Sequence, residues 1–323
     1  MVKRQVVVFG IFLLVFISSN AWAHHPTSGA GLGQAGPIRT IPAFTLQKGK
    51  LVMALQTEFI KLDSFSDNEL RGYAENGNDV HSVDYILHTV FAVGYGISDD
   101  FTLSLKVSYE DLNSIKEAHH DEPDEIHNRG DSKGVGDPVI FGQYRFIKVI
   151  RDDFESTFLF GLKLPTGKTS GRDRQGERFE TEFQPGTGSW NPMFGIAASK
   201  RFGQLSLDAN VLYTVATKGA QDTDLGDIFH YNAALSYRVL KNTSLAWDLI
   251  IEANGEWKQK ERIAGVKDEN SGEHVLFLSP GTRLSINKQW SAYLSVGFPV
   301  FQNLNGIQNK TTSRTVFGIS AAF

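Results

Sequence analysis

The sequence contains no cysteine. An exported chain of this kind has no disulfide staples and no lipid-modified cysteine at a mature N-terminus, so any membrane attachment has to come from the fold. Long apolar runs are missing as well. Beyond residue 23 no stretch reaches the roughly 18 consecutive apolar residues that a spanning helix needs. There is no excess of positive charge either: 32 Lys and Arg stand against 36 Asp and Glu, for a formal charge of -4. That balance gives no general attraction to nucleic acid. Walker-type loops, paired CxxC motifs and dinucleotide-binding glycine patterns do not occur. No Ser-His pair or acid pair stands at a spacing that suggests hydrolysis, so the chain is read as a non-enzyme without a cofactor.

What the sequence does have begins at its N-terminus. Lys3 and Arg4 precede an apolar run from Val6 to Ile17, and Ala21-Trp22-Ala23 stands before His24, the three-part layout of a cleaved export signal over residues 1–23. Residues 24–48 carry Pro26, Gly29, Gly31, Gly33, Gly36, Pro37 and Pro42, which excludes both helix and strand. This segment is expected to be a flexible, disordered periplasmic leader, with a short plug folded into a lumen as the alternative.

From residue 49 to residue 323 the dominant signal has a period of two. Leu205, Leu207, Ala209, Val211 and Tyr213 alternate with Ser206, Asp208, Asn210, Leu212 and Thr214, so one face of an extended segment is apolar and the other mostly polar. The pattern recurs at Phe101 to Glu110, Leu245 to Glu252 and Trp290 to Phe298. It marks about twelve strands, starting near Lys50, Ser82, Asp100, Asp137, Phe154, Ser189, Gln204, Ile228, Thr243, Glu273, Trp290 and Lys310. Each is about 10 to 15 residues long, enough to cross a membrane at a tilt.

The connections alternate too. Tight links at Ile97 to Asp100, Val149 to Asp153, Phe202-Gly203, Leu240 to Asn242 and Asn287 to Gln289 are separated by long polar stretches such as Asp63 to Asp79, Asn113 to Gly134 and Thr166 to Thr187. Short periplasmic turns and long extracellular loops are how outer-membrane barrels are built. The final strand alternates Thr315, Phe317, Ile319, Ala321 and Phe323 with smaller and polar residues. Its terminal aromatic is expected to address the barrel-assembly machinery through Phe323. The fold expected is all-β: a transmembrane antiparallel barrel of about twelve strands in the outer membrane, in contact with lipid and lipopolysaccharide.

If the apolar set faces lipid, the lumen is lined by the other set: Lys106, Glu110, Arg145, Lys163, Asp208, His230, Arg238, Asp248, Glu252, Arg283 and Arg314, with Asp84 and His88. Both signs of charge occur, which points to cross-lumen ion pairs bracing a narrow barrel more than to an ion-selective pore. Gly142 and Gly318 are placed on the same face, either opening space for a solute or relieving strain where the barrel curves.

Three motifs add a resemblance. Gly134-Val135-Gly136-Asp137-Pro138 leads into Tyr144-Arg145-Phe146; Gly161-Leu162-Lys163-Leu164-Pro165-Thr166-Gly167 follows, and then Pro185-Gly186-Thr187-Gly188-Ser189. In that order they resemble the MetA-pathway phenol-degradation family of outer-membrane transporters, most clearly from about Gly134 to Val239. The resemblance implies a transporter-like barrel for small, hydrophobic or aromatic compounds and carries over no binding residue. Read as structure alone, Asp137-Pro138 starts a strand and Pro165-Thr166-Gly167 ends one at the membrane rim.

Histidine is the remaining chemistry. His24 and His25 would form the mature N-terminus, where amine and imidazole chelate copper or nickel. His119 and His120 lie in a loop with Asp121, Glu122, Asp124, Glu125 and His127, a second candidate metal site. The loop from Thr166 to Thr187, with Arg172, Arg174 and Arg178 among its acids, offers an adhesive or structural alternative to transport.

Overall fold

The computed structural model describes residues 36–242, 244–287 and 289–323. The expected export signal, His24 and His25 lie outside the described residues. Twelve antiparallel strands close into one barrel. In chain order they are Leu51–Asp63, Tyr85–Ser98, Phe101–Ala118, a broken fourth strand made of His127–Val135 and Val139–Val149, Phe154–Lys163, Asn191–Phe202, Leu205–Thr214, Ile228–Lys241, Leu245–Lys258, Glu273–Ile286, Trp290–Leu304 and Lys310–Ala322. Each pairs with its sequence neighbours, and the last pairs with the first from Val52 with Ala322 to Asp63 with Lys310, leaving no free edge.

The two faces are inverted relative to a soluble protein. Leu103, Leu105, Leu207, Leu249, Leu294, Phe317 and Ile319 are exposed around the outside, whereas Asp208, Glu252 and Arg283 are fully buried inside. Alternation therefore sorts side chains between lipid and an enclosed interior, as the period of two requires. The tight turns lie at one end, taken as periplasmic, and the long segments at the other.

Three features depart from the expectation. The third strand runs on to Ala118, and residues 127–135 return as its partner, so much of the predicted loop from Asn113 to Gly134 is a polar hairpin standing above the membrane. One of its faces is covered, with Ile115, Glu117, Ala118 and Ser132 buried, and its polar sequence carries no apolar period to mark it. Between the first two strands a helix, Asp67–Glu75, is capped by Ser66 and Glu69 in reciprocal hydrogen bonds, a signature present in the sequence as Ser66-x-x-Glu69. Gly142 faces lipid: a Cβ there would lie 2.3 Å from the Phe160 ring, so the glycine makes room for an aromatic on the outer surface.

Candidate functional site

A segment of chain occupies part of the lumen. Residues 36–48 enter from the periplasmic end, rise to mid-barrel and return to the rim, where the Lys48 amide donates to Asp99 (2.9 Å). Ile38, Arg39, Thr40, Ile41 and Ala43 are buried. The described part of the segment is thus a plug and corrects the expectation of a flexible leader for these residues. The physical reason lies in backbone accounting, since an enclosed peptide must find a partner for every N–H. Pro37 and Pro42 have no N–H to place. The remaining amides between them and just beyond are met by side chains of the wall: Ile38, Arg39 and Thr40 all donate to the Glu252 carboxylate (2.9, 3.0 and 3.2 Å), Ile41 to Asn210 (2.8 Å) and Ala43 to Ser199 (2.8 Å). Three successive amides around one carboxylate form an anion nest.

The plug's other polar groups are held in the same way. Arg283 donates to the carbonyls of Gly36 (3.0 Å) and Pro37 (2.8 Å) and stacks on Tyr293. Arg39 pairs with Glu58, which also pairs with Arg314 (3.0 Å). Thr157 donates to the Ala43 carbonyl (2.5 Å). The apolar side chains Ile41 and Ala43 pack with Val139, Phe141, Leu159, Ala197 and Leu212.

The remaining lumen candidates form local pairs. Glu110 holds His88 Nδ1 (2.7 Å), His230 lies 3.2 Å from Glu256, Arg238 grips Asp248 (2.6 Å), and Asp208 accepts from Ser199 and Ser206. Lys106 lies over the Phe141 ring, 4.7 Å from its centroid. Arg145 sits at the periplasmic rim, between Asp100 (2.8 Å) and Glu155 (2.9 Å).

Above the plug lies a cavity of about 840 Å³, counting the part open to solvent. Val139, Met193, Leu212, Leu225 and Ile228 supply apolar wall, while His88, Glu110, Asp137, Lys163, Thr187, His230 and Lys258 supply polar groups. Val139 and Leu212 also pack on Ile41, so the plug forms the floor. The loop over the mouth is anchored inward by Phe179 and Phe183, both buried against Ile60, Leu62, Ile86, Leu112 and Ile115.

Asp137 organises this mouth. It accepts from the Gly167 amide (2.8 Å) and from the Thr187 amide and hydroxyl (both 2.7 Å), with Lys163 3.6 Å away. A Cβ on Gly167 would lie 2.6 Å from the carbonyl carbon of Gly136, and one on Gly186 would lie 2.6 Å from that of Gly167. The three sequence motifs are one structure: glycines let the strands' ends and the loop close on a single buried carboxylate. Read singly as strand starts and ends, these motifs do not reveal that they converge.

The family described as "Putative MetA-pathway of phenol degradation" matches residues 110–303. The chain belongs to this family. No curated protein matches it. Among solved structures, this family member is similar to the COG4313 outer membrane channel from Pseudomonas putida F1, at 15% identity and a TM-score of 0.57, over 87% of this chain and 98% of that one. It also aligns with the CymD monoaromatic hydrocarbon channel (10% identity, TM-score 0.43, 86% and 89% covered) and the NanC porin (9%, 0.43, 83% and 98%). The first likeness is one of fold. This MetA-pathway family chain is an outer-membrane barrel.

The histidines of the long hairpin face two sets of carboxylates, His119 and His120 meeting Asp79. The rings of His119 and His127 lie 5.4 Å apart, His120 Nδ1 turns to Asp79 (2.9 Å), and His127 has Glu122 and Glu125 within ligand reach. Elsewhere in the family member's extracellular end, His81 lies between Glu182 (3.1 Å) and Glu180 (3.8 Å). Burial disfavours its charged form, but the Glu182 hydrogen bond and the nearby carboxylates outweigh that and raise its pKa to about 10.

Proposed function

We propose that the barrel conducts a small compound of hydrophobic or aromatic character passively, from the extracellular cavity past a plug that gates the lumen. The observation that carries this reading is the cavity, with an apolar wall, polar groups at fixed positions and the plug residue Ile41 beneath it. Apolar surface with a few convergent polar groups suits an organic solute of modest size better than a hydrated ion. Among the described residues, the ion pairs named above neutralise one another and form no ring of single-sign charge to select ions. The family's description, which names phenol degradation, is consistent with an aromatic cargo.

In this reading Lys106, Glu110, Lys163 and His230 line the path, and Arg145, Arg238, Asp248, Glu252, Arg283 and Arg314 brace the wall and plug. No residue is assigned a catalytic role. The mouth loop, pinned inward by Phe179 and Phe183, favours a lid over an adhesive arm. Lipopolysaccharide is the partner of the outer rim, and the assembly machinery is the partner of the last strand, whose Phe323 pairs with Leu51 at the seam.

Uptake of a radiolabelled monoaromatic compound tests the proposal in cells whose outer leaflet is lipopolysaccharide, because phospholipid alone lets apolar rings pass. Expression of the barrel should raise the initial rate, and Leu212→Lys, which puts a charge in the cavity wall, should abolish the gain. Equal rates with and without the barrel would overturn the reading.

A further inference from the structure

A second cleft lies at the extracellular end, lined by residues 77–81, His119, Glu180 and Glu182, residues of the segment 261–271, and Ile307 and Gln308. It measures about 1100 Å³ with its open part included. Its lining has five carboxylates, two imidazoles and no lysine or arginine. Two cations near it are already engaged: Lys258 with Glu261 (2.6 Å), and Arg129 with Asp173 and Glu177 (both 2.8 Å). Even with both imidazoles protonated, the lining carries an excess of negative charge.

Within this cleft His81, Glu180 and Glu182 each present one ligand atom, all within 4.8 Å of one another. They come from separate parts of the chain. His81 is on the short strand Val80–Ser82, which pairs with Lys116 to Ala118, and its ring stands edge-on to Phe183, 5.1 Å between centroids. Glu180 and Glu182 flank Thr181 on the short 3-10 turn of the mouth loop, and buried Phe183 fixes that turn. Glu180 is half-exposed, so its side chain has freedom to close onto a cation, whereas His81 and Glu182 are held.

We propose that His81, Glu180 and Glu182 form a divalent-cation site of the Zn²⁺ class that clamps the mouth loop to the segment between the first two strands. One imidazole with two carboxylates suits a borderline metal, leaving further positions for water. Ca²⁺ needs six to eight oxygen ligands, and an imidazole nitrogen is not one of them. Because Pro185 and Thr187 of the same loop line the conducting cavity, the clamp bears on its mouth.

The test is calorimetric titration of Zn²⁺ into the full chain in detergent micelles. Heat-modifiable gel migration checks that each variant is a folded barrel. One Zn²⁺ per chain is expected, with affinity reduced roughly tenfold or more by His81→Ala and by Glu180→Gln. Glu180 is the safeguard against misfolding, since its half-exposed side chain is not needed for packing. The triple variant His119→Ala/His120→Ala/His127→Ala should keep the site. Absence of binding in the parent chain, unchanged binding in His81→Ala and Glu180→Gln, or loss confined to the triple variant would each overturn the proposal.

Discussion

At the scale of single residues, two buried carboxylates order backbone that has no strand to pair with. Glu252 is the acceptor for three plug amides, and each amide left without one inside the barrel costs about 1–3 kcal/mol. Glu252→Ala should therefore loosen the plug and raise single-channel conductance in planar bilayers. Glu252→Gln, which keeps one carbonyl oxygen, should raise it less. Conductance equal to that of the parent chain in both variants would remove Glu252 from this role. Asp137 does the same work at the mouth for Gly167 and Thr187. Replacing it with Ala should make the 164–190 loop more sensitive to protease. Gly167→Ala should do likewise, because its Cβ would meet the backbone of Gly136, which cannot swing aside, at a cost of about 1–3 kcal/mol.

Among elements, the plug and the mouth loop have no regular structure of their own and borrow stability from the wall. Residues 38–43 make no ladder with any strand; their anchors are Glu252, Asn210, Ser199 and Thr157. Replacing Ile38 to Ala43 by a Gly-Ser segment of equal length should remove the apolar contacts of Ile41 and the fixed backbone at Pro42 while leaving the barrel closed. The expected result is a steady conductance larger than that of the parent chain, with unchanged heat-modifiable migration. An unaltered conductance would mean that some other constriction limits flow. The strand hairpin formed by residues 113–135 belongs to the same class, standing above the membrane and held by ladder hydrogen bonds and ion pairs such as Lys133 with Asp111 (3.1 Å).

The whole molecule is governed by which solvent each face meets. Leu207, on the outer face, and Asp208, next in the chain and fully buried within, show the sorting in adjacent residues. Val211→Lys, farther along the same outward face and away from the turn, should destabilise the barrel by about 2–4 kcal/mol, read from guanidinium unfolding in lipid vesicles. The lumen-facing Ser206→Ala should change stability far less, since it deletes one hydroxyl beside Asp208 and leaves the lipid face intact. Comparable losses in the two variants would contradict the assignment of faces.

Strand count, strand ends near Leu51, Phe101, Phe154, Ile228, Glu273, Trp290 and Lys310, the alternation of turns and loops, and the outward apolar face were all legible in the chain, because a period of two is a local property of neighbouring side chains. The plug was not, because its amides are satisfied by residues about 150 to 210 positions away, and Gly and Pro between residues 24 and 48 speak only against helix and strand. Nor was the convergence of Gly136, Gly167 and Gly186 on Asp137, or that of His81 with Glu180 and Glu182. Local pattern decides which way a side chain points; only closure of the ring decides which distant side chain it meets there.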